Sequence, residues 1–333
     1  MHGPYLLFLG DITEPSAAKT GAGLREWRSE LCIGQLRLPG CKVDLGLPDL
    51  SLEQAVAAGA RTLVVGIVNV GGFIAETWIP TLKSALEAGL DLAAGLHHRL
   101  ADVPVLSEAA SRSGRALYDV RQPTQAFRPG TGEKRAGLRL LTVGTDCVVG
   151  KKYTALSLER ALRNRRVKAD FRATGQTGIL ISGRGVAVDA VIADFISGAA
   201  EWLSPANEPD HWDIIEGQGC LHHPAYAGVT LGLIHGSQPD ALVLCHEPIR
   251  THLLGLRYPT PSLREAIEAN LAAARLTNPR VRMVGISINT SRMPASEAGA
   301  VAERIGAETG LPCCDPLRHG VDRIVDHVMA LTW

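Results

Sequence analysis

The chain carries no excess of either charge: Lys+Arg and Asp+Glu each number 34, so the formal net charge is zero. Surfaces that hold nucleic acid or anionic membranes usually leave a basic excess, so neither partner is expected. Any anionic ligand must then be captured locally, by a few placed groups. Long apolar runs are missing too. The longest, Thr62–Val70, has the length of a buried strand and falls far short of a membrane span. The opening MHGPYLLFLGD lacks the basic region, apolar length and cleavage site of a secretory leader. Cysteine is present without a pattern. Cys32, Cys41, Cys147, Cys220, Cys245, Cys313 and Cys314 form no C-x-x-C pair and no Cys/His spacing of the zinc kind. They read as buried small hydrophobes in a reducing compartment, and the expected location is cytoplasmic. Internal repeats and low-complexity tracts are absent.

What is present suits a globular enzyme. The hydrophobic fraction is 46% and the charged fraction 20%, and 333 residues suffice for two domains. Strand-like apolar runs recur at Tyr5–Leu9, Thr62–Ile67, Leu90–Ala94, Leu138–Val143, Asp213–Ile215, Ala241–Leu244 and Val281–Ile288. Amphipathic stretches such as Ser51–Ala58, Thr81–Ala88, Thr154–Asn164 and Ser262–Ala274 lie between them. That alternation predicts an α/β fold with mostly parallel sheets. Proline, glycine and charge interrupt it at Gln122–Gly137. The expected division is a Rossmann-like domain over 1–125, a linker over 126–137 and a P-loop NTPase-like domain over 138–333. In the first domain VGIVNVGG (Val65–Gly72) is a strand entering a glycine turn, but it is not G-x-G-x-x-G and reads as tight packing.

Leu138–Leu162 reads as strand, glycine loop, lysine and amphipathic helix, the context in which backbone N–H groups and a helix N-terminus grip phosphate. The predicted phosphate-binding residues are Gly144, Thr145, Asp146, Cys147, Val148, Val149, Gly150, Lys151, Lys152 and Tyr153. Five positions separate Gly144 from Gly150, one more than in G-x-x-x-x-G-K-[ST], and that longer spacing resembles the loops of dethiobiotin-synthetase-like proteins. The residue after Lys151 is a second lysine, where a nucleotide hydrolase places the Ser or Thr that ligates magnesium. Thr154 is a weak substitute. The loop therefore predicts phosphate binding without a bound metal.

Three later segments supply the remaining polar groups. Gly175–Gly178 and Gly183–Gly185 are backbone-exposing turns, and Asp194, set among Val191, Ile192, Phe195 and Ile196, is a candidate pocket carboxylate. Asp213–Ile215 is a strand whose end delivers Glu216, Gly217, Gln218 and Gly219 to the crevice side of a parallel sheet. His222, His223 and His235 follow; Cys220 has no activating spacing and reads as inert. The last buried strand ends at Asn289, a position that reads the adenine ring in related P-loop folds.

With GTDCVVGK, ATGQTG, DFISGAAEWLSP, IEGQGCLHHPAYAGVTLGLIHGSQPDALVLCH and GISINTS in order, and GLREWRSELCIGQ at Gly23–Gln35, the chain resembles the DgcN family over nearly its whole length. The resemblance implies a D-glutamate N-acetyltransferase that uses acetyl-coenzyme A (acetyl-CoA) and works with a partner epimerase. It implies that the loop and Asn289 hold the nucleotide end of the coenzyme, with the pantetheine arm directed toward Gln176, Asp194, Glu216 and His235. One of Glu216, His235 and Asp194 then acts as general base, and a glycine turn, Gly217–Gly219 or Gly175–Gly178, receives the oxyanion. Gln176, Thr177, Arg184, Gln218 and Arg250 are the expected substrate-binding residues, with Arg25 or Arg28 as further candidates for the carboxylates. A homodimer is the expected assembly. Two other readings stay open: an ATP-magnesium ligase or kinase of the dethiobiotin-synthetase type, and a nucleotide-sensing regulator.

Overall fold

The computed structural model describes residues 1–69, 71–123 and 125–333. Val70, which closes the apolar stretch from Thr62 and falls within Val65–Gly72, lies outside the described residues. The chain divides into two units, one formed by Met1–Thr124 and Gln176–Ala187, the other by Gln125–Gly175 and Val188–Trp333.

The first unit is built on five parallel strands, β1 (Tyr5–Gly10), β2 (Cys32–Arg37), β3 (Thr62–Val65), β4 (Asp91–Ala94) and β5 (Leu117–Asp119), in the order β2-β1-β3-β4-β5. Every residue of β1 is buried, as a strand covered on both faces requires, and its apolar run is therefore unbroken instead of alternating. Phe8 meets Trp78 edge to face at 5.9 Å, and the Trp78 indole N–H donates to Asp11 at 2.8 Å. The helix Leu52–Ala57 begins at a capping box between Ser51 and Gln54.

Residues 176–187, assigned from sequence to the P-loop domain, pack with the first unit. The helix Gln176–Ser182 lies against the helix Lys19–Trp27, where the Thr20 and Thr177 hydroxyls meet at 3.1 Å and Arg28 donates to the Ile181 carbonyl at 2.7 Å.

The second unit holds six parallel strands, β6 (Leu138–Gly144), β7 (Ala169–Arg172), β8 (Trp212–Ile215), β9 (Ala241–His246), β10 (Arg282–Ile288) and β11 (Cys313–Cys314), in the order β11-β10-β9-β6-β8-β7. β6 is central, with β8 on one side and β9 on the other, so the strand order reverses about it. Such a reversal opens a crevice outside the carboxyl ends of the strands. Segment 126–137 is held against this same unit. Lys134 pairs with Asp240 at 2.7 Å, and Arg135 donates to the carbonyls of Ser204 and Gly236. The fully buried Arg139 ties its guanidinium to the carbonyls of Arg135, Ala136, Gly137, Ser204 and Pro205. A linker reading from proline and glycine content misses these anchors, because their partners are far along the chain. Among the described residues no helix is long and apolar enough to cross a membrane.

Candidate active site

The centre of the site is the loop between β6 and the helix Lys151–Asn164. A Cβ at Gly144 would meet the Asp146 carbonyl oxygen and Val149 Cγ2 at 2.9 Å, so glycine is required for the chain to double back there. Gly150 precedes the helix at φ +105°, and no side chain caps the helix start. Uncapped first-turn N–H groups are what an anion needs. The buried Lys151 turns its ammonium inward, donating to the Asp146 carbonyl at 2.9 Å.

Asp146 is fully buried and organises the loop. One carboxylate oxygen accepts from the Cys147 N–H at 2.7 Å; the other accepts from Arg250 Nη1 and the Leu254 N–H, both at 2.7 Å. Arg250 also donates to the Cys147 carbonyl at 2.8 Å and to Glu247 at 2.6 Å, and Glu247 in turn accepts from Arg292 at 2.6 Å. Removing one partner of such a buried pair strands the other. Asp146→Ala is therefore expected to lower the free energy of unfolding by about 3 kcal/mol in chemical denaturation.

Glu216 stands at the end of β8, 3% exposed. Its Oε2 accepts from the N–H groups of Thr174 at 3.0 Å and Gly175 at 3.2 Å. Burial pushes its carboxyl up to about 7; the Lys152 ammonium, those two N–H bonds and the Lys151 ammonium oppose that rise. The next residue, Gly217, donates its N–H to Thr142 Oγ1 on β6 at 2.9 Å. Gln218 Nε2 donates to Thr174 Oγ1 at 3.2 Å, and the Gln218 carbonyl accepts from Thr230 Oγ1 at 2.8 Å. Asn289 completes the group, with its Cβ 3.9 Å from the position a Cβ on Gly150 would take.

The structure thus brings the loop residues Gly144–Tyr153, Glu216, Gln218 and Asn289 to one crevice in the second unit. Lys152 lies near the Tyr153 ring, 4.9 Å from its centroid. Asp194, His235 and Arg250 are placed differently. Asp194 is exposed on a 3-10 turn (Ala193–Phe195), because its apolar neighbours do not continue as one helix face. His235 sits in the last turn of the helix Ala227–Ser237. The start of that helix, at Thr230, faces Gln218, whereas its end, at Gly236, is tied to Arg135 ahead of β6. His235 therefore lies five residues, more than one turn, beyond Thr230. Arg250 braces the loop between two carboxylates, so its fork is already committed. Gln176, Thr177, Arg184, Arg25 and Arg28 belong to the first unit, where Gln176 accepts from Arg121 and Arg184 is exposed. Of the second-unit N–H groups named for an oxyanion, Gly217 is committed to Thr142 and Gly175 to Glu216, leaving Gln218 and Gly219. Thr154 spends its hydroxyl on the Gly150 carbonyl at 3.0 Å and Ser287 at 2.7 Å. Cys220 is fully buried, which raises its thiol above the ordinary value and keeps it from acting as a thiolate.

His246 was not singled out by sequence. It ends β9 with Nδ1 3.0 Å from Thr145 Oγ1, and burial drives its imidazole down to about 4, so it is neutral at pH 7. Asp146, Cys147 and His223 place ligand-type atoms within 4.8 Å of one another, a spacing a metal could use. The Asp146 carboxylate is already saturated, however. The His223 ring uses Nε2 on the Leu254 carbonyl at 3.1 Å and Nδ1 on the Ala225 N–H at 3.3 Å.

Fold and site define a two-unit α/β protein with a phosphate-binding loop, a buried carboxylate facing it and lysine in place of the magnesium hydroxyl. The chain belongs to the DUF1611 family. Residues 128–325 match its C-terminal P-loop domain of unknown function, and residues 36–123 match its N-terminal Rossmann-like domain of unknown function. It is 54% identical to a D-glutamate N-acetyltransferase of Pseudoalteromonas sp over 97% of each chain. It is 52% identical to a D-glutamate N-acetyltransferase of Tritonibacter scottomollicae over 98% of this chain and 99% of that one. A crystal structure of a DUF1611 family protein from Anabaena variabilis superposes with a TM-score of 0.88 at 35% identity, covering 98% of this chain and 99% of the other.

Proposed function

We propose that this protein transfers the acetyl group of acetyl-CoA to the α-amine of D-glutamate. The observation that carries the reading is the pairing of the phosphate loop with Glu216: where a hydrolase would hold magnesium, Lys152 stands near a buried carboxylate that titrates around neutrality. The names of the two relatives above 50% identity point the same way. Lys151, Lys152 and the loop N–H groups hold the coenzyme phosphates, which need no metal for this chemistry. Glu216, once ionised, takes a proton from the substrate ammonium. The free amine attacks the thioester carbonyl, and N–H groups of the Gln218–Gly219 turn receive the oxyanion. The adduct gives up its second nitrogen proton to water, and its collapse forms the amide and breaks the C–S bond. The coenzyme thiolate leaves and is protonated by the acid form of Glu216. The protein works in the cytoplasm, as a homodimer, and its product passes to an epimerase.

Binding isotherms with acetyl-CoA and with ATP-magnesium, followed by thiol release on adding D- or L-glutamate, test the reading. Tight ATP-magnesium binding with no thiol release would replace it with the ligase or kinase alternative. In the same assay Lys151→Ala should weaken acetyl-CoA binding by about 100-fold or more, since a buried charge-assisted contact to phosphate is lost. Unchanged affinity would move the phosphate site away from the loop.

A further inference from the structure

A second feature of the P-loop unit has no role in the scheme above. Beside the loop, His222, Leu253, Tyr258, Pro259, Thr260 and Pro261 surround a hollow of about 490 Å³, with Glu265 at its wall. One wall is a tight turn in which the Leu253 N–H bonds the Tyr258 carbonyl at 2.9 Å and the Thr260 N–H bonds the Thr251 carbonyl at 3.0 Å. That turn is fastened to the phosphate loop through the Leu254 N–H on Asp146 and to the opposite wall through the Leu254 carbonyl on His223. The opposite wall ends the segment that starts at Glu216. The walls of the hollow are therefore tied by hydrogen bonds to the phosphate loop and to the segment that follows Glu216.

Its chemistry narrows the occupant. Proline rings, Leu253 and the Tyr258 ring, which is 63% exposed, make an apolar lining. Two polar atoms, His222 Nδ1 and Thr260 Oγ1, are buried without a hydrogen-bond partner among the described residues. Glu265 is bonded to the Ser262 hydroxyl and N–H at 2.7 and 2.8 Å, which holds it ionised. Among the described residues no lysine or arginine lines the space, and an ionised carboxylate at the wall repels a dicarboxylate substrate. A neutral chain of methyl, hydroxyl and amide groups meets no such penalty. The volume is ordinary for part of a small-molecule site, which spans roughly 300–1,000 Å³.

We propose that this hollow receives the pantetheine arm of the acyl-coenzyme A whose phosphates occupy the Gly144–Lys152 loop. The arm then runs by Tyr258 and Thr260, not toward Asp194 and His235, and the dicarboxylate acceptor approaches Glu216 from elsewhere. The inference rests on the acetyl-CoA reading.

The test is calorimetric, with acetyl-CoA and with 3′-phospho-ADP, which carries the same phosphates and no arm. Tyr258→Ala and Thr260→Val should each raise the Kd for acetyl-CoA, by about tenfold for the tyrosine, and leave the Kd for 3′-phospho-ADP unchanged. Equal losses for both ligands, or no loss for either, would overturn the assignment of the hollow. Wild-type protein that binds neither ligand would instead overturn the acetyl-CoA reading itself, and the assignment with it.

Discussion

Gly217→Ala is expected to cost at least about 3 kcal/mol of stability and, in whatever protein still folds, about 100-fold or more in turnover. A Cβ at Gly217 would stand 1.6 Å from the carbonyl oxygen of Thr142 and 3.0 Å from Lys151 Cδ. The first contact is with backbone of the central strand, which cannot rotate aside, so β8 and β6 would have to part where they leave the sheet. That parting breaks the Gly217 N–H bond to Thr142 Oγ1. It also displaces Glu216, one residue away, from the Thr174 and Gly175 N–H groups. Gly299→Ala is the matched control. Gly299 lies within the helix Ala295–Thr309, a Cβ there meets nothing within 4 Å, and alanine should raise stability by up to about 1 kcal/mol. Urea denaturation and thiol-release kinetics on both variants decide the matter. A Gly217→Ala protein as stable and active as wild type would show that the strands can separate there at no cost.

The phosphate loop was legible because everything that defines it is local: an apolar run, two glycines, a lysine and a helical period within Leu138–Leu162. Glu216 was legible for a related reason, as the first polar residue after a short buried strand. What holds Glu216 was not. Thr174 and Gly175 lie some 40 residues earlier and reach it only because β7 is the neighbour of β8, a pairing that periodicity does not encode. His235 and His246 look alike in the string. The first lies in the last turn of the helix Ala227–Ser237, whereas the second ends β9 beside Thr145. Asp194 misled because an apolar neighbourhood in sequence became an exposed 3-10 turn in space. Residues 176–187 pack with the first unit through contacts that periodicity does not encode, since their partners on and just after the helix Lys19–Trp27 lie about 150 residues back. The hollow at Tyr258 left no signal beyond a proline pair, because its walls come from segments about 30 residues apart that meet through Asp146 and His223.

Glu216→Gln should abolish most turnover, by 100-fold or more, while making the protein relatively more stable as pH rises. The sign follows from the direction of the shift. Burial raises the Glu216 carboxyl from an ordinary 4.5 to about 7 in the folded protein. A group whose folded value is raised contributes its stability in full below 4.5 and loses it as pH climbs to about 7, because the unfolded chain ionises first. A shift from 4.5 to about 7 corresponds to about 3 kcal/mol. Glutamine keeps an acceptor for the Thr174 and Gly175 N–H groups and carries no charge to desolvate. The difference in unfolding free energy between Glu216→Gln and wild type should therefore grow by about 3 kcal/mol, in favour of glutamine, between pH 4.5 and pH 8. Denaturation at a series of pH values measures it, and a flat difference would mean that Glu216 ionises in the folded protein at its ordinary value, unshifted by burial. The kinetic counterpart is a rise of kcat/KM through about pH 7 as Glu216 becomes competent to take a proton. Lys152→Met removes the ammonium that most opposes the burial effect, so it should carry that rising limb to higher pH. A limb that stays in place would separate Lys152 from Glu216 and leave the second lysine of the loop with phosphate alone.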